Sequence, residues 1–108
     1  MDFKIKRGDT SPSIKLKLTP GINLAGATVV FNVDGQSVTD INISRAAATF
    51  DNADYPTSST LIYEWVTLDT AVAGAAAKAE FEVTYSDGSI ETFPREDFIN
   101  VRVINDLG

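Results

Sequence analysis

The 108-residue sequence contains no cysteine and no histidine. The first absence removes disulfides, thiol nucleophiles and thiolate metal sites together, while leaving the redox compartment open. The second removes the usual proton shuttle near neutral pH and the commonest metal ligand, which excludes Ser-His-Asp hydrolysis and typical zinc centres. No glycine-rich segment leads into a helix to cradle phosphate, and basic residues do not interleave with aromatic ones as they do in single-strand nucleic-acid binders. No apolar run approaches the ~18 residues of a membrane span. The cations near the start, Lys4, Lys6 and Arg7, are not followed by an apolar stretch, so no secretory signal is expected. These absences predict a chain with no enzymatic activity, no cofactor, no bound metal, and neither nucleic acid nor membrane as a partner.

What remains is the material of one domain spanning 1–108. Apolar residues make up 44% of the chain, enough for a single core at this length. The net charge is −6, which works against sequence-independent binding to phosphate backbones. That charge is unevenly spread. Residues 1–18 hold five cations (Lys4, Lys6, Arg7, Lys15, Lys17) against Asp2 and Asp9, a local +3, and the other residues hold 4 basic and 13 acidic groups, a local −9. Either basic and acidic strands pair within one sheet, or opposite charges meet between neighbouring subunits, where complementary potentials select one docking register.

Period-two alternation runs through the chain and predicts short β-strands. Ile14, Leu16 and Leu18 alternate with Lys15 and Lys17, up to the break at Pro20-Gly21. Val29, Phe31 and Val33 point inward. Asp34-Gly35 signals a tight turn, with a strand near Val38–Ile43 after it and a weaker one around Ala46–Phe50. Leu61, Tyr63 and Trp65 face the core, as do Ala79, Phe81, Val83 and Tyr85. Asp87-Gly88 is a second hairpin turn, Ile90–Phe93 pairs back until Pro94 stops it, and Phe98–Ile104 closes the domain. Thr67 caps one short helical turn through Asp69–Val72, ended by Gly74. The expected fold is all-β, an immunoglobulin-like antiparallel β-sandwich of seven to eight strands with that one helical turn. Its core is expected to include Ile14, Leu16, Val29, Phe31, Tyr63, Trp65, Phe81, Val83, Val101 and Val103.

Glu64, Glu80, Glu82 and Glu91 are the carboxylates on strands. A close pair in a cleft would suit glycoside hydrolysis. All four fall on the polar phase of the alternation, which places them on a solvated sheet face beside Lys15, Lys17 and Lys78. Asp51, Asn52 and Asp54 offer oxygens for calcium, yet their spacing does not fit an EF-hand, and an Asx-type turn accounts for them. Arg7-Gly8-Asp9 reads as a glycine-centred bend between two edge-strand pieces. Asn42-Ile43-Ser44 is a formal glycosylation acceptor.

Taken in order, several pieces look familiar: Lys6-Arg7-Gly8-Asp9-Thr10-Ser11-Pro12, then Leu24-Ala25-Gly26-Ala27-Thr28-Val29-Val30-Phe31, then Tyr63-Glu64-Trp65 and Asp69-Thr70-Ala71-Val72-Ala73-Gly74, then Ala79-Glu80-Phe81-Glu82-Val83-Thr84, then Asp87-Gly88 and Thr92-Phe93-Pro94. Their sequence and spacing resemble small tailed-phage proteins related to the N-terminal domain of phage baseplate upper proteins, over almost the whole chain. The resemblance implies an immunoglobulin-like sandwich and a structural place in the virion, assembled in the host cytoplasm, with other virion proteins and further copies of the chain as partners. Two departures stand out. Ala75, Ala76 and Ala77 follow Gly74 where family members often carry an aromatic residue, and no receptor-binding extension follows before Gly108. A tail, baseplate or neck position is therefore expected alongside the alternative of a capsid-decorating cement protein.

Contact with partners is expected at three places: the basic segment Lys4–Arg7 with Lys4, Lys6 and Arg7, the polar stretch Asp51–Thr60, expected to be an exposed loop, with Asp51, Asn52, Asp54 and Tyr55, and the tail Ile104–Gly108 with Leu107. A carbohydrate- or receptor-binding module is the competing reading, for which Tyr55 is the one suitably placed aromatic.

Overall fold

Alternating side chains dictate extended backbone, and the computed structural model, which describes residues 2–35, 45–66 and 76–104, is built from strands. These are β1 (Asp2–Lys6), β2 (Ile14–Leu18), β3 (Thr28–Gly35), β4 (Arg45–Asp51), β5 (Ser59–Tyr63), β6 (Ala76–Thr84), β7 (Ile90–Phe93) and β8 (Ile99–Ile104). No helix occurs among the described residues. The helical turn expected through Asp69–Val72 and the strand expected near Val38–Ile43 both lie outside them.

The strands form one mixed sheet in the order β1-β8-β6-β3-β4-β5-β2, curled nearly closed into a barrel, with β7 paired to β6 beside that path. The expectation of a purely antiparallel fold is corrected at one pair: β1 runs parallel to β8, from Asp2 opposite Asn100 to Lys6 opposite Ile104. Short hairpins force neighbours to run antiparallel, but these two strands come from opposite ends of the chain and no hairpin constrains their direction. A second correction concerns Asp34-Gly35, which is no turn. Both residues stay in the ladder, opposite Lys78 and Ala77, because β3 follows the long strand β6 through eight residue pairs. A two-residue turn signal loses to a continuous ladder. The other turn signal holds. At Asp87-Gly88, Gly88 takes φ 89, a left-handed conformation that suits glycine, and its N–H donates to the Tyr85 carbonyl at 2.9 Å.

Strand β6 is the spine. One flank carries β3, and the other carries β8 beside Ala76–Ala79 and β7 beside Phe81–Thr84. Strand β4 is shared between two partners: Arg45–Ala48 pair with β3, and Thr49–Asp51 pair with β5. Inside, Phe31 is fully buried, stacked on Tyr63 at 4.6 Å between ring centres and 9° between planes. Phe81 lies tilted against it at 5.0 Å, and Trp65 meets it edge-on at 5.7 Å. Such contacts add to the roughly 1.5–3 kcal/mol that burying a large apolar side chain contributes. The expected core is found, except that Leu16 is only half-buried, because it stands on β2, an edge strand with a neighbour on one side. Leu24, Ile5, Phe93 and Ile99 join the core.

Candidate docking surfaces

Alternation turns Lys4 and Lys6 of β1 outward, and Asn100 and Arg102 of β8 likewise. Register then brings them together. Lys4 lies directly opposite Arg102 in the parallel ladder, where neighbouring strands are about 4.8 Å apart. On the next strand Lys78 is exposed and opposite Asn100, one diagonal step from Arg102. Lys4, Lys78 and Arg102, with Asp2 and Asn100, line a shallow cavity of about 480 Å³. The Asn100 side-chain amide donates to Asp2 Oδ1 at 3.1 Å, and the Lys78 ammonium sits 5.3 Å from the centre of the exposed Phe98 ring. Like charges facing each other across a ladder cost stability, a few tenths to about 1 kcal/mol per pair. Among the described residues Lys4, Lys6 and Arg102 form no ion pair that would offset this. A chain with net charge −6 thus gathers four of its 9 cations on one face, which also carries Asp2, and Asp34 lies opposite Lys78 in the ladder. Sequence reading named Lys4 and Lys6 for this face but not Lys78 or Arg102.

Arg7 continues the strand pairing, its N–H donating to the Ile104 carbonyl at 2.9 Å. The polar loop is elsewhere. Following the registers from β1 through β8, β6 and β3 to β4 places Asp51 at the end of the sheet opposite to Lys6. Asp51, Asp54 and Tyr55 are exposed there, and Asn52 is partly covered. The Asx turn is present: Asp51 Oδ1 accepts from the Ala53 N–H at 2.9 Å. The structure therefore does not bring the basic segment and the polar loop together, and Leu107 lies outside the described residues.

One part of the loop corrects its reading as wholly exposed. Ser58 and Ser59 are buried. The Ser59 hydroxyl accepts from the Ile22 N–H at 3.0 Å and donates to the Ile22 carbonyl at 2.9 Å, clasping the 20–24 segment to the loop. Gly21 makes this approach possible, since a Cβ there would stand 2.8 Å from the Ser58 carbonyl carbon. Ser59→Ala leaves both Ile22 backbone groups unpaired, so its expected cost is about 1–3 kcal/mol. Urea unfolding checks this: the midpoint should fall with the slope unchanged, and an unmoved midpoint would remove the clasp from the account.

At that same end of the sheet, Tyr85 donates its hydroxyl to Glu91 Oε1 at 2.8 Å, and Arg95 binds Glu91 Oε2 through Nε at 2.8 Å and a terminal nitrogen at 2.7 Å. The Arg95 guanidinium also lies 5.1 Å from the Phe93 ring centre. Burial first, then the hydrogen bond to Glu91 and that carboxylate's negative charge, push the Tyr85 phenol from its ordinary value near 10 up to about 12. The folded state therefore keeps its proton where the unfolded chain has lost it. Stability from this group is complete below pH 10 and is lost between pH 10 and about 12. In an alkaline absorbance titration Tyr85→Phe should remove an ionisation step near pH 12, and an unchanged titration curve would contradict this assignment.

The described surfaces offer charge, backbone edges and a hydrogen-bonded cluster, with no group of three or more His, Cys, Asp or Glu side chains set to hold a metal among the described residues. Comparison with protein-family models, with curated proteins and with solved structures returned no match.

Proposed function

We propose that the chain is a non-enzymatic structural protein of a tailed-phage virion, a module that docks or self-associates in a tail, baseplate or neck assembly. The observation that carries this reading is the basic face formed by Lys4, Lys6, Lys78 and Arg102 on an otherwise acidic chain. Facing cations cost the isolated fold stability, and a carboxylate-bearing partner surface offsets that cost on contact. The acidic remainder of a second copy, or of another virion protein, supplies such a surface. The resemblance of the ordered sequence pieces to the baseplate family supports the virion setting, and the lack of histidine and cysteine supports a passive role.

The fold reading that accompanies the proposal is an immunoglobulin-like sandwich. In it β1, β8, β6, β3 and the first half of β4 form one layer, with β7 beside them, and the second half of β4, β5 and β2 form the other. The divided pairing of β4 supports that layering. Capsid decoration uses the same surfaces at a different place in the particle. A carbohydrate-binding role draws support from Tyr55, 43% exposed on its loop.

Gradient-purified particles of the producing phage test the proposal. They should contain the chain in fixed proportion and release it as salt approaches about 1 M, where the Debye length falls to ~3 Å. A chain found only in the soluble lysate would refute the assignment.

A further inference from the structure

A second surface differs in kind from the basic face. Strand β2 ends the strand order and pairs only with β5 among the described residues, and β7 pairs only with β6. Each therefore presents an edge with backbone N–H and C=O groups not engaged in a ladder. Between them runs a groove of about 370 Å³, within the size range of ligand pockets. Leu16, Leu18, Pro20 and Ile22 form one wall, and Phe93 and Pro94 the other. Leu16, Leu18 and Ile22 are only partly buried, packed against the core from its margin. Lys17 and Arg95 stand at the rim, and Lys15 is exposed on the same strand. Arg95 is engaged by Glu91, whereas Lys15 and Lys17 form no ion pair among the described residues.

We infer that this groove is a strand-addition site for an extended acidic segment of another protein. The edges call for backbone partners in extended conformation, which is the mode of β-augmentation. The apolar walls call for apolar side chains on alternate residues of the incoming strand. The outward lysines of β2 call for carboxylates on the other alternate residues, since opposite charges on neighbouring strands stabilise a pair. The occupant is thus a segment alternating apolar and acidic residues. A second copy of this chain does not supply it from the described residues. Only β6, with Ala79-Glu80-Phe81-Glu82-Val83, has that pattern, and β6 is held by β3 on one flank and by β7 and β8 on the other. The free edge β1 carries lysines, which Lys15 and Lys17 would repel. The inference does not depend on the virion assignment.

Three fluorescent synthetic peptides test it on the intact chain: one alternating valine and glutamate, one alternating valine and lysine, and the first with two central prolines, which remove backbone donors. The valine-glutamate peptide should bind saturably and slow hydrogen exchange at β2 amides. The proline peptide should not bind, and the lysine peptide should bind at least about tenfold more weakly. The variant Lys15→Glu with Lys17→Glu, both exposed and expected to leave circular dichroism unchanged, should weaken valine-glutamate binding by about tenfold. Absence of saturable binding by the valine-glutamate peptide, equal binding by the proline peptide, or protection confined to other strands would each overturn the site.

Discussion

Phe31→Ala is expected to lower the melting temperature by on the order of 20 °C. Phe31 is the point where the sheet's two halves meet: its strand β3 lies between β4 and β6, and its ring contacts Tyr63 from β5, Phe81 from β6 and Trp65. It has no exposed surface. Truncating a fully buried phenylalanine removes its transfer free energy and leaves a cavity that rigid rings do not fill, a cost of about 3–5 kcal/mol. A domain of this size has about 5–15 kcal/mol in all, so the variant loses a large share. Each kcal/mol moves the midpoint by about 4–8 °C. Phe31→Leu keeps most of the volume and should lose far less. The chain has one tryptophan, Trp65, stacked 5.7 Å from Phe3 and edge-on to Phe31, so its emission reports on the same cluster. A Phe31→Ala protein that melts with the parent would mean the aromatic cluster is not the fold's centre.

Lys4→Glu is expected to move stability and docking in opposite directions. It sets a carboxylate directly opposite Arg102 in place of a second cation. The isolated chain should gain about 0.2–1 kcal/mol as a repelling pair becomes an attracting one. Docking through the basic face should weaken by about tenfold or more, because a like charge now meets the acidic partner surface. A residue that served only the fold would not show this opposition. Thermal melts and particle-retention assays on the same preparation separate the two effects. Loss of stability together with loss of docking would instead point to a damaged sheet.

Much of the strand content was legible because burial follows the two-residue period. Val29, Phe31 and Val33, then Phe81 and Val83, then Ile99, Val101 and Val103, alternate inward as the pattern requires. Pairing between distant segments was not legible. Nothing local in Asp2–Lys6 tells that it lies along Ile99–Ile104, so the face that joins Lys4 to Arg102 and Lys78 emerges only from the folded register. The tight-turn reading of Asp34-Gly35 failed for the same reason, as a local preference overridden by the long partner β6. Ser59 was hidden by its type. A serine in a polar stretch reads as exposed, and only the approach of Gly21 and Ile22 reveals that its hydroxyl closes a buried clasp. Leu24 was missed because it stands outside any strand, in the segment that this clasp holds against the core.

Lysine footprinting on assembled particles addresses the central claim most directly. An amine-reactive reagent applied to the free chain and to the particle-bound chain should label Lys4, Lys6 and Lys78 in the first and spare them in the second, with protection lost as salt releases the chain. Equal labelling of these three lysines in both states would contradict docking through the basic face.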